Sequence, residues 1–191
     1  MRKIITLNLI LIPLLVLQGC AALVATTAIV GTDMATDRRT SGIYIEDQRI
    51  EISAKSDLSE SKVLDDNADL AVTSFNRIVL ITGQAPTPEL KQLATSIVRK
   101  VDNVRKVHNE VRILSPESML SGTNDAWLTT KTKSMLFAED DLNSQHIKVL
   151  TENGEVFLMG MVTRVEAEKA INVVREIDGV ERVVEVFEYI D

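Results

Sequence analysis

The sequence predicts an α+β protein made of two copies of one small α-β-β-α-β unit. Three observations predict it. A helix-type apolar stripe occurs twice, a strand–turn–strand stretch occurs twice, and each copy closes on a cap-initiated helix followed by a strand. The 191 residues are 45% hydrophobic, 26% charged and 4% aromatic, the balance of a globular chain rather than a disordered one. The expected order is a signal segment over 1–19, a tether over 20–43, a first unit over 44–114, a linker over 115–123 and a second unit over 124–191.

The N-terminus opens with "MRK", a short basic region, and "IITLNLILIPLLVL", an apolar run broken by Pro13 and short for a membrane span. "LQGC", Leu17 to Cys20, follows. It resembles a bacterial lipobox, with Gln18 departing from the usual small or apolar choice. Cys20 is the single cysteine of the chain, so it has no disulfide partner within it, and acylation is its expected fate. Several acyl chains anchor stably, since each buried methylene contributes roughly 0.8 kcal/mol. Ala21, where aspartate would signal retention, implies the outer membrane by resemblance to Gram-negative lipoprotein sorting. Residues 21–43 are small and polar and read as a tether; their apolar piece "AALVATTAIVG" has a second reading, lying on the bilayer surface.

The first unit opens with Asp47, Ile50, Ala54 and Leu58, an N-cap-type aspartate followed by one helical stripe. The second repeats that spacing with Asp125, Leu128, Thr132 and Leu136, weakened by the threonine. "LAVTSFNRIVLITG" (70–83) then matches "IKVLTENGEVFLMG" (147–160), each a strand, tight turn and strand, with Asn153-Gly154 a strong hairpin signal. Thr87-Pro88-Glu89 starts the next helix of copy one with a cap and a proline. Thr163 to Glu166 has the spacing of a capping box in copy two. Ala94, Ile97, Val98 and Val101 are answered by Ala170, Val173, Val174 and Ile177. "VDNVRKVHNEVRIL" and "IDGVERVVEVFEYI" supply the closing strands. The linker "SPESMLSGT" is short enough to keep the copies close, and units this small are marginal alone. Each is expected to form a small mixed three-stranded sheet with two helices on one face. Val79 and Ile81 alternate with Leu80, and Val156 and Leu158 with Phe157 and Met159, so the other sheet face is apolar too. Either the companion repeat or another protein covers it.

The unit, with its D-x-x-I opening, "GEVFLMG" hairpin and "IDGVERV" close, resembles the BON domain. Two such units after a lipobox resemble the dual-BON outer-membrane lipoproteins of Gram-negative bacteria. That resemblance implies a non-enzymatic periplasmic lipoprotein. It also implies binding of anionic phospholipid through the second BON domain, gathering at the division site and support of envelope integrity.

The single tryptophan, Trp127, precedes the core-stripe Leu128 and matches Arg49 of copy one, a solvent-facing position. In an ideal helix it lies about 100° from Leu128. Trp127, Lys131 and Ser134 then share a flank outside the stripe. Tryptophan suits a membrane–water boundary, and lysine reaches phosphate. The expected phospholipid contacts are Trp127, Leu128 at the edge, Lys131, Lys133 and Ser134. The other reading of Trp127 is packing between the two units.

Charge argues both ways. The formal net charge is −7, and a broadly acidic surface without a basic aromatic stripe speaks against nucleic acid. Residues 124–191 hold 7 basic and 14 acidic side chains, net −7, against 10 and 11, net −1, over 43–114. The second unit therefore needs its bases segregated onto one face to meet anionic lipid. Asp125, Glu139, Asp140 and Asp141 flank its first helix. His108 and His146 lack a second ligand at metal spacing and read as exposed loop or strand residues. Asp65-Asp66 and Asp140-Asp141 read as solvated loops or strand starts, with Ca²⁺ binding as the second reading, and Gly83 and Gly160 as turn or bulge positions. No nucleophile elbow or phosphate loop occurs, so no enzyme activity, cofactor, metal or small-molecule substrate is expected. The alternative function is a structural or adaptor lipoprotein whose repeats bind an envelope protein, with Leu80 or Phe157 at the contact.

Overall fold

A computed structural model describes residues 37–114 and 125–191. The expectations for the signal segment, Cys20 and the 115–123 linker lie outside the described residues.

Helix α1 spans Ser41–Glu60, and the Thr40 hydroxyl caps it by accepting the Ile43 N–H at 3.3 Å. The folded body therefore reaches back into residues read as tether. The buried positions of α1 are Asp47, Ile50, Ala54 and Leu58, the stripe seen in the sequence. The chain turns extended at Ser61 and resumes as a short helix α2, Lys62–Asp65, which the sequence pattern did not announce. Strands β1 (Asp69–Phe75) and β2 (Ile78–Ala85) pair antiparallel. Their turn, Asn76-Arg77, has both residues left-handed, with φ of 49° and 63°, as a two-residue turn matched to strand twist requires. Helix α3 (Pro88–Val98) is capped by Thr87 with proline in its first turn. Strands β3 (Lys106–Asn109) and β4 (Arg112–Ile113) both run parallel to β2. Ile78 pairs with Lys106 and Gln84 with Arg112, one constant offset, so β3 and β4 are a single edge strand interrupted at 110–111.

The second repeat follows the same plan. Helix α4 is Asp125–Ala138, β5 is Ile147–Glu152, β6 is Glu155–Val162, α5 is Arg164–Arg175 and β7 is Arg182–Tyr189. β5 pairs antiparallel and β7 parallel with β6. A full capping box, Thr163 with Glu166, starts α5. Each repeat is thus a mixed three-stranded sheet with helices on one face, an α+β fold.

The two opening aspartates are not N-caps. Asp47 lies inside α1, and Asp125 is a helical residue of α4. Each carboxylate reaches the hairpin turn of its own repeat instead. Gly83 and Gly160 lie within strands rather than at turns. A Cβ at Gly83 would stand 2.0 Å from the Asp69 carbonyl oxygen, and one at Gly160 2.4 Å from that of His146. Close approach of the neighbouring backbone, joined at Gly83 by a left-handed φ of 108°, demands glycine there.

Strand alternation divides the apolar residues between three cores. Val79 and Ile81 join Ile50, Ala54 and Val98 beneath the helices of the first repeat. Val156 and Leu158 do the same with Leu128, Leu136 and Val174 in the second. The opposite sheet faces meet each other: Phe75, Ile78 and Leu80 pack with Phe157, Met159 and Val186. The companion repeat is what covers the second face. Leu80 and Phe157 are each 1% exposed and offer nothing to another protein, against the adaptor expectation for them. Polar pairs rim this seam. The Asn76 Nδ2 donates to Glu188 at 2.6 Å, Arg105 grips Glu188 at 3.0 and 3.2 Å, and Arg182 bridges Glu155 and Glu110. Burying one large apolar side chain contributes roughly 1.5–3 kcal/mol, so the six apolar residues, more than the exposed rim pairs, hold the repeats together.

Candidate functional site

Helix α4 sorts its side chains sharply. Leu128, Thr132 and Leu136 face the core, each no more than 1% exposed. The expectation that Leu128 contributes at a membrane edge is therefore corrected: it is fully enclosed by the second core and cannot reach a surface. Trp127, one position earlier, is 54% exposed, and its copy-one counterpart Arg49 is likewise exposed. Trp127 takes no part in the seam between repeats.

The tryptophan is held as well as exposed. The Lys131 ammonium lies 4.9 Å from the Trp127 ring centroid, a cation–π contact one turn along the helix. The other side of its environment is the turn at Gly179, where the backbone is left-handed (φ 96°). A Cβ there would stand 3.9 Å from the ring's Cζ3. Lys133 and Ser134 are exposed, and the Ser134 hydroxyl donates back to the Thr130 carbonyl at 2.9 Å.

Two residues missed in the sequence join this face. Phe137 is 79% exposed and Met135 45%. Phe137 stands three residues after Ser134 and off the Leu128–Thr132–Leu136 stripe, so helical spacing alone could have found it.

One of the flanking acids is turned away from the outer face. Asp125, the one acid of α4, points away from the outer face: its carboxylate accepts the Asn153 N–H at 2.7 Å and the Gly154 N–H at 3.0 Å. Asp125 and Asp69 also press on Glu152, whose carboxyl is pushed up, mainly by burial. The outer face of α4 itself thus carries two aromatic residues and two lysines, with Glu139, Asp140 and Asp141 just past its end. Asp140 and Asp141 lie beyond the helix end, where Lys169 approaches Asp141 at 3.7 Å.

Beside Phe137 runs an open groove of about 650 Å³, also lined by Arg38, Leu142, His146 and Glu166. The Arg38 guanidinium grips Glu166 with two 2.8 Å hydrogen bonds. That hydrogen bonding, helped by the Thr163 N–H and hydroxyl, holds the Glu166 carboxyl down at about 2 against the effect of burial. His146 is not the exposed residue expected; its side chain is 13% exposed and its Nδ1 lies 3.7 Å from Glu166. His108 sits half-buried in β3, and burial pulls its pKa down. Among the described residues no cluster of three metal-ligating side chains occurs, and no helix is long and apolar enough to cross a membrane.

This architecture has known counterparts. The model of the BON domain matches residues 46–115 and again 124–191. The chain belongs to the BON-domain family. As a tandem BON protein it is 35% identical over 175 residues to outer membrane lipoprotein DolP of Haemophilus influenzae, covering 92% of this chain and 91% of the relative. It is 33% identical to a 21 kDa hemolysin of Actinobacillus pleuropneumoniae, over 81% and 79% of the two chains. It is 25% identical to osmotically-inducible protein Y of Escherichia coli, over 74% and 72%. The relationship supports an outer-membrane lipoprotein of the cell envelope for this BON protein.

Proposed function

We propose that this chain is a non-enzymatic outer-membrane lipoprotein, acylated at Cys20 and facing the periplasm. Its second BON domain binds anionic phospholipid and so supports envelope integrity, at the division site. The observation that carries this reading is the outer face of α4: Trp127 and Phe137 exposed, Lys131 and Lys133 beside them, and the helix's acid turned inward. Such a face suits a helix lying in the interface plane, aromatic rings at the boundary and ammonium groups at phosphates. Each nearby base adds about 1 kcal/mol of attraction, so two give weak binding, and the acyl anchor supplies avidity. Of the five expected contacts, Trp127, Lys131, Lys133 and Ser134 stay in the proposal; Phe137 replaces Leu128.

The test follows the single tryptophan of the unacylated chain during vesicle addition. A blue shift with anionic vesicles, absent with neutral ones, is the expected result. Trp127→Glu and Phe137→Glu each lower vesicle binding more than tenfold while leaving thermal unfolding within a few degrees. Emission that ignores both vesicle types would sink the reading. In its place would stand an adaptor role, for which the exposed Ile45 (57%) and Ile52 (69%) on α1 are the available surface.

A further inference from the structure

Helix α1 carries a second stripe besides the one it buries. Asp47, Ile50, Ala54 and Leu58 face the core of the first repeat. Ile45, Arg49, Ile52, Ser56 and Ser59 recur at steps of four, three, four and three, and all five are exposed. Ile52 lies about 160° from Ala54 around an ideal helix, so this stripe points away from the core. The Arg49 side chain, between the two isoleucines, is 76% exposed. Steps of four and three are the heptad spacing by which one helix packs along another. The 20 residues of α1 make a face about 30 Å long. A cleft of about 130 Å³ adjoins the stripe at Ser59, lined by Leu58, Leu64 and Leu70 together with Lys55, Ser59 and Asp65.

The charges beside the stripe are sorted. Of the five acids of α1, three are held elsewhere. Asp47 binds the hairpin turn, Glu51 accepts the Ser74 N–H at 2.9 Å and Lys148 at 3.2 Å, and Glu46 accepts the Asn103 amide at 2.8 Å. Asp57 and Glu60 stand toward the C-terminal end. Arg49 comes no nearer than 4.0 Å to Glu46. The middle of the stripe, with Arg49 and Lys55, is therefore cationic in a chain of net charge −7.

We propose that the outer face of α1 docks an acidic amphipathic helix of a partner protein. Apolar side chains of the partner sit on Ile45 and Ile52 and anchor in the Leu58–Leu64 cleft, and its carboxylates face Arg49 and Lys55. The short side chains of Ser56 and Ser59 let the partner's backbone approach closely. A second copy of this chain fits poorly. Two antiparallel α1 helices paired about Ile52 would set Arg49 of one against Lys55 of the other, and like charges select against that pairing. A bilayer fits poorly too, since the stripe has no tryptophan or tyrosine for the membrane boundary. The helices of each repeat lie on the side of their sheet away from the seam, so α1 and α4 occupy opposite layers. The α1 face is thus separate from the one assigned to lipid, and this inference does not depend on the phospholipid reading.

The probe is a dye-labelled synthetic helix of three heptads, with leucine at the packing positions and glutamate flanking them. A matched peptide carries lysine in place of glutamate. Fluorescence anisotropy reads the binding of each to the unacylated chain. The glutamate peptide is expected to bind at least tenfold more tightly than the lysine peptide. Ile52→Glu lowers binding of the glutamate peptide at least tenfold, and Arg49→Glu with Lys55→Glu reverses the preference between the two peptides. These changes fall on exposed side chains, so thermal unfolding stays within a few degrees of the parent. Trp127→Glu leaves peptide binding unchanged. Binding of neither peptide, equal binding of both, or indifference to Ile52→Glu overturns the proposal. So does a dimer in sedimentation that Ile52→Glu dissolves, which would put a second copy on this face. Anionic-vesicle binding that survives Trp127→Glu and is lost with Ile52→Glu would put lipid there and overturn it as well.

Discussion

The Asp47 carboxylate accepts the Asn76 N–H at 2.8 Å across 29 residues of chain, from inside helix α1 to the tip of a β-hairpin. It also accepts the Arg77 N–H at 2.7 Å and the Ser74 hydroxyl at 2.6 Å, and it pairs with Arg39. Asp125 does the same work with Asn153 and Gly154 in the second repeat. Both turns are left-handed and leave their N–H groups unpaired by the ladder. A helical carboxylate is how each repeat satisfies them.

Asp47→Ala is expected to cost about 3–5 kcal/mol, because it removes a carboxylate from beside a buried arginine as well as from the turn. Asp125→Ala, without a buried cation, costs about 1–3 kcal/mol, the loss of two charge-assisted bonds. Urea unfolding of the two variants measures both. Equal losses would show that Arg39 adds nothing to the first site.

Phe157 is the largest of the fully buried side chains and lies in the seam between repeats. Phe157→Ala removes about 3–5 kcal/mol by transfer and cavity terms. Because it touches both repeats, near-equal loss of protection in β2 and β6 by hydrogen exchange is expected. Loss confined to β6 would mean that the first repeat stands without its companion.

Thr132 occupies the place of Ala54 in the internal alignment and is 0% exposed. Its hydroxyl finds no hydrogen-bond partner among the described residues. Thr132→Val exchanges that hydroxyl for a methyl of similar volume and should stabilise by about 1 kcal/mol. Destabilisation in thermal unfolding would reveal a partner for the hydroxyl.

Glu166 gives a pH signature. Its carboxyl is held at about 2 when folded, against 4.5 for the ordinary group, by Arg38 first and the Thr163 N–H and hydroxyl next. A depressed acid contributes stability that is full above pH 4.5 and is lost as pH falls toward 2. Glu188, held down by Arg105 and Asn76 despite burial, acts in the same direction across the seam. Glu166→Gln should therefore flatten the fall of stability between pH 4.5 and 2 relative to the parent, measured by urea midpoints. An unaltered slope would show that the Arg38 pair is not formed in solution.

Much of this architecture was legible in the chain because it rests on local periodicity. The stripe Asp47, Ile50, Ala54, Leu58 and its copy, the Asn-Gly hairpin, and the Thr87 and Thr163 caps each depend on residues within a few positions of one another. Comparing the copies also put Trp127 outside, since its counterpart is an arginine. What local pattern could not show was which distant groups meet. An aspartate at a helix start has the same sequence whether it caps its own helix or crosses to a hairpin 29 residues on. An apolar sheet face has the same alternation whether a sister repeat or a stranger covers it. Leu128 and Phe137 are both large and apolar, and only the packed core separates the enclosed one from the exposed one. The repeat, its elements and the outward tryptophan were readable in the chain, because these follow from short-range backbone and side-chain spacing. The seam between the repeats and the aspartate-bound hairpin turns came only with the packed chain, because burial and charge pairing depend on neighbours brought together from far away.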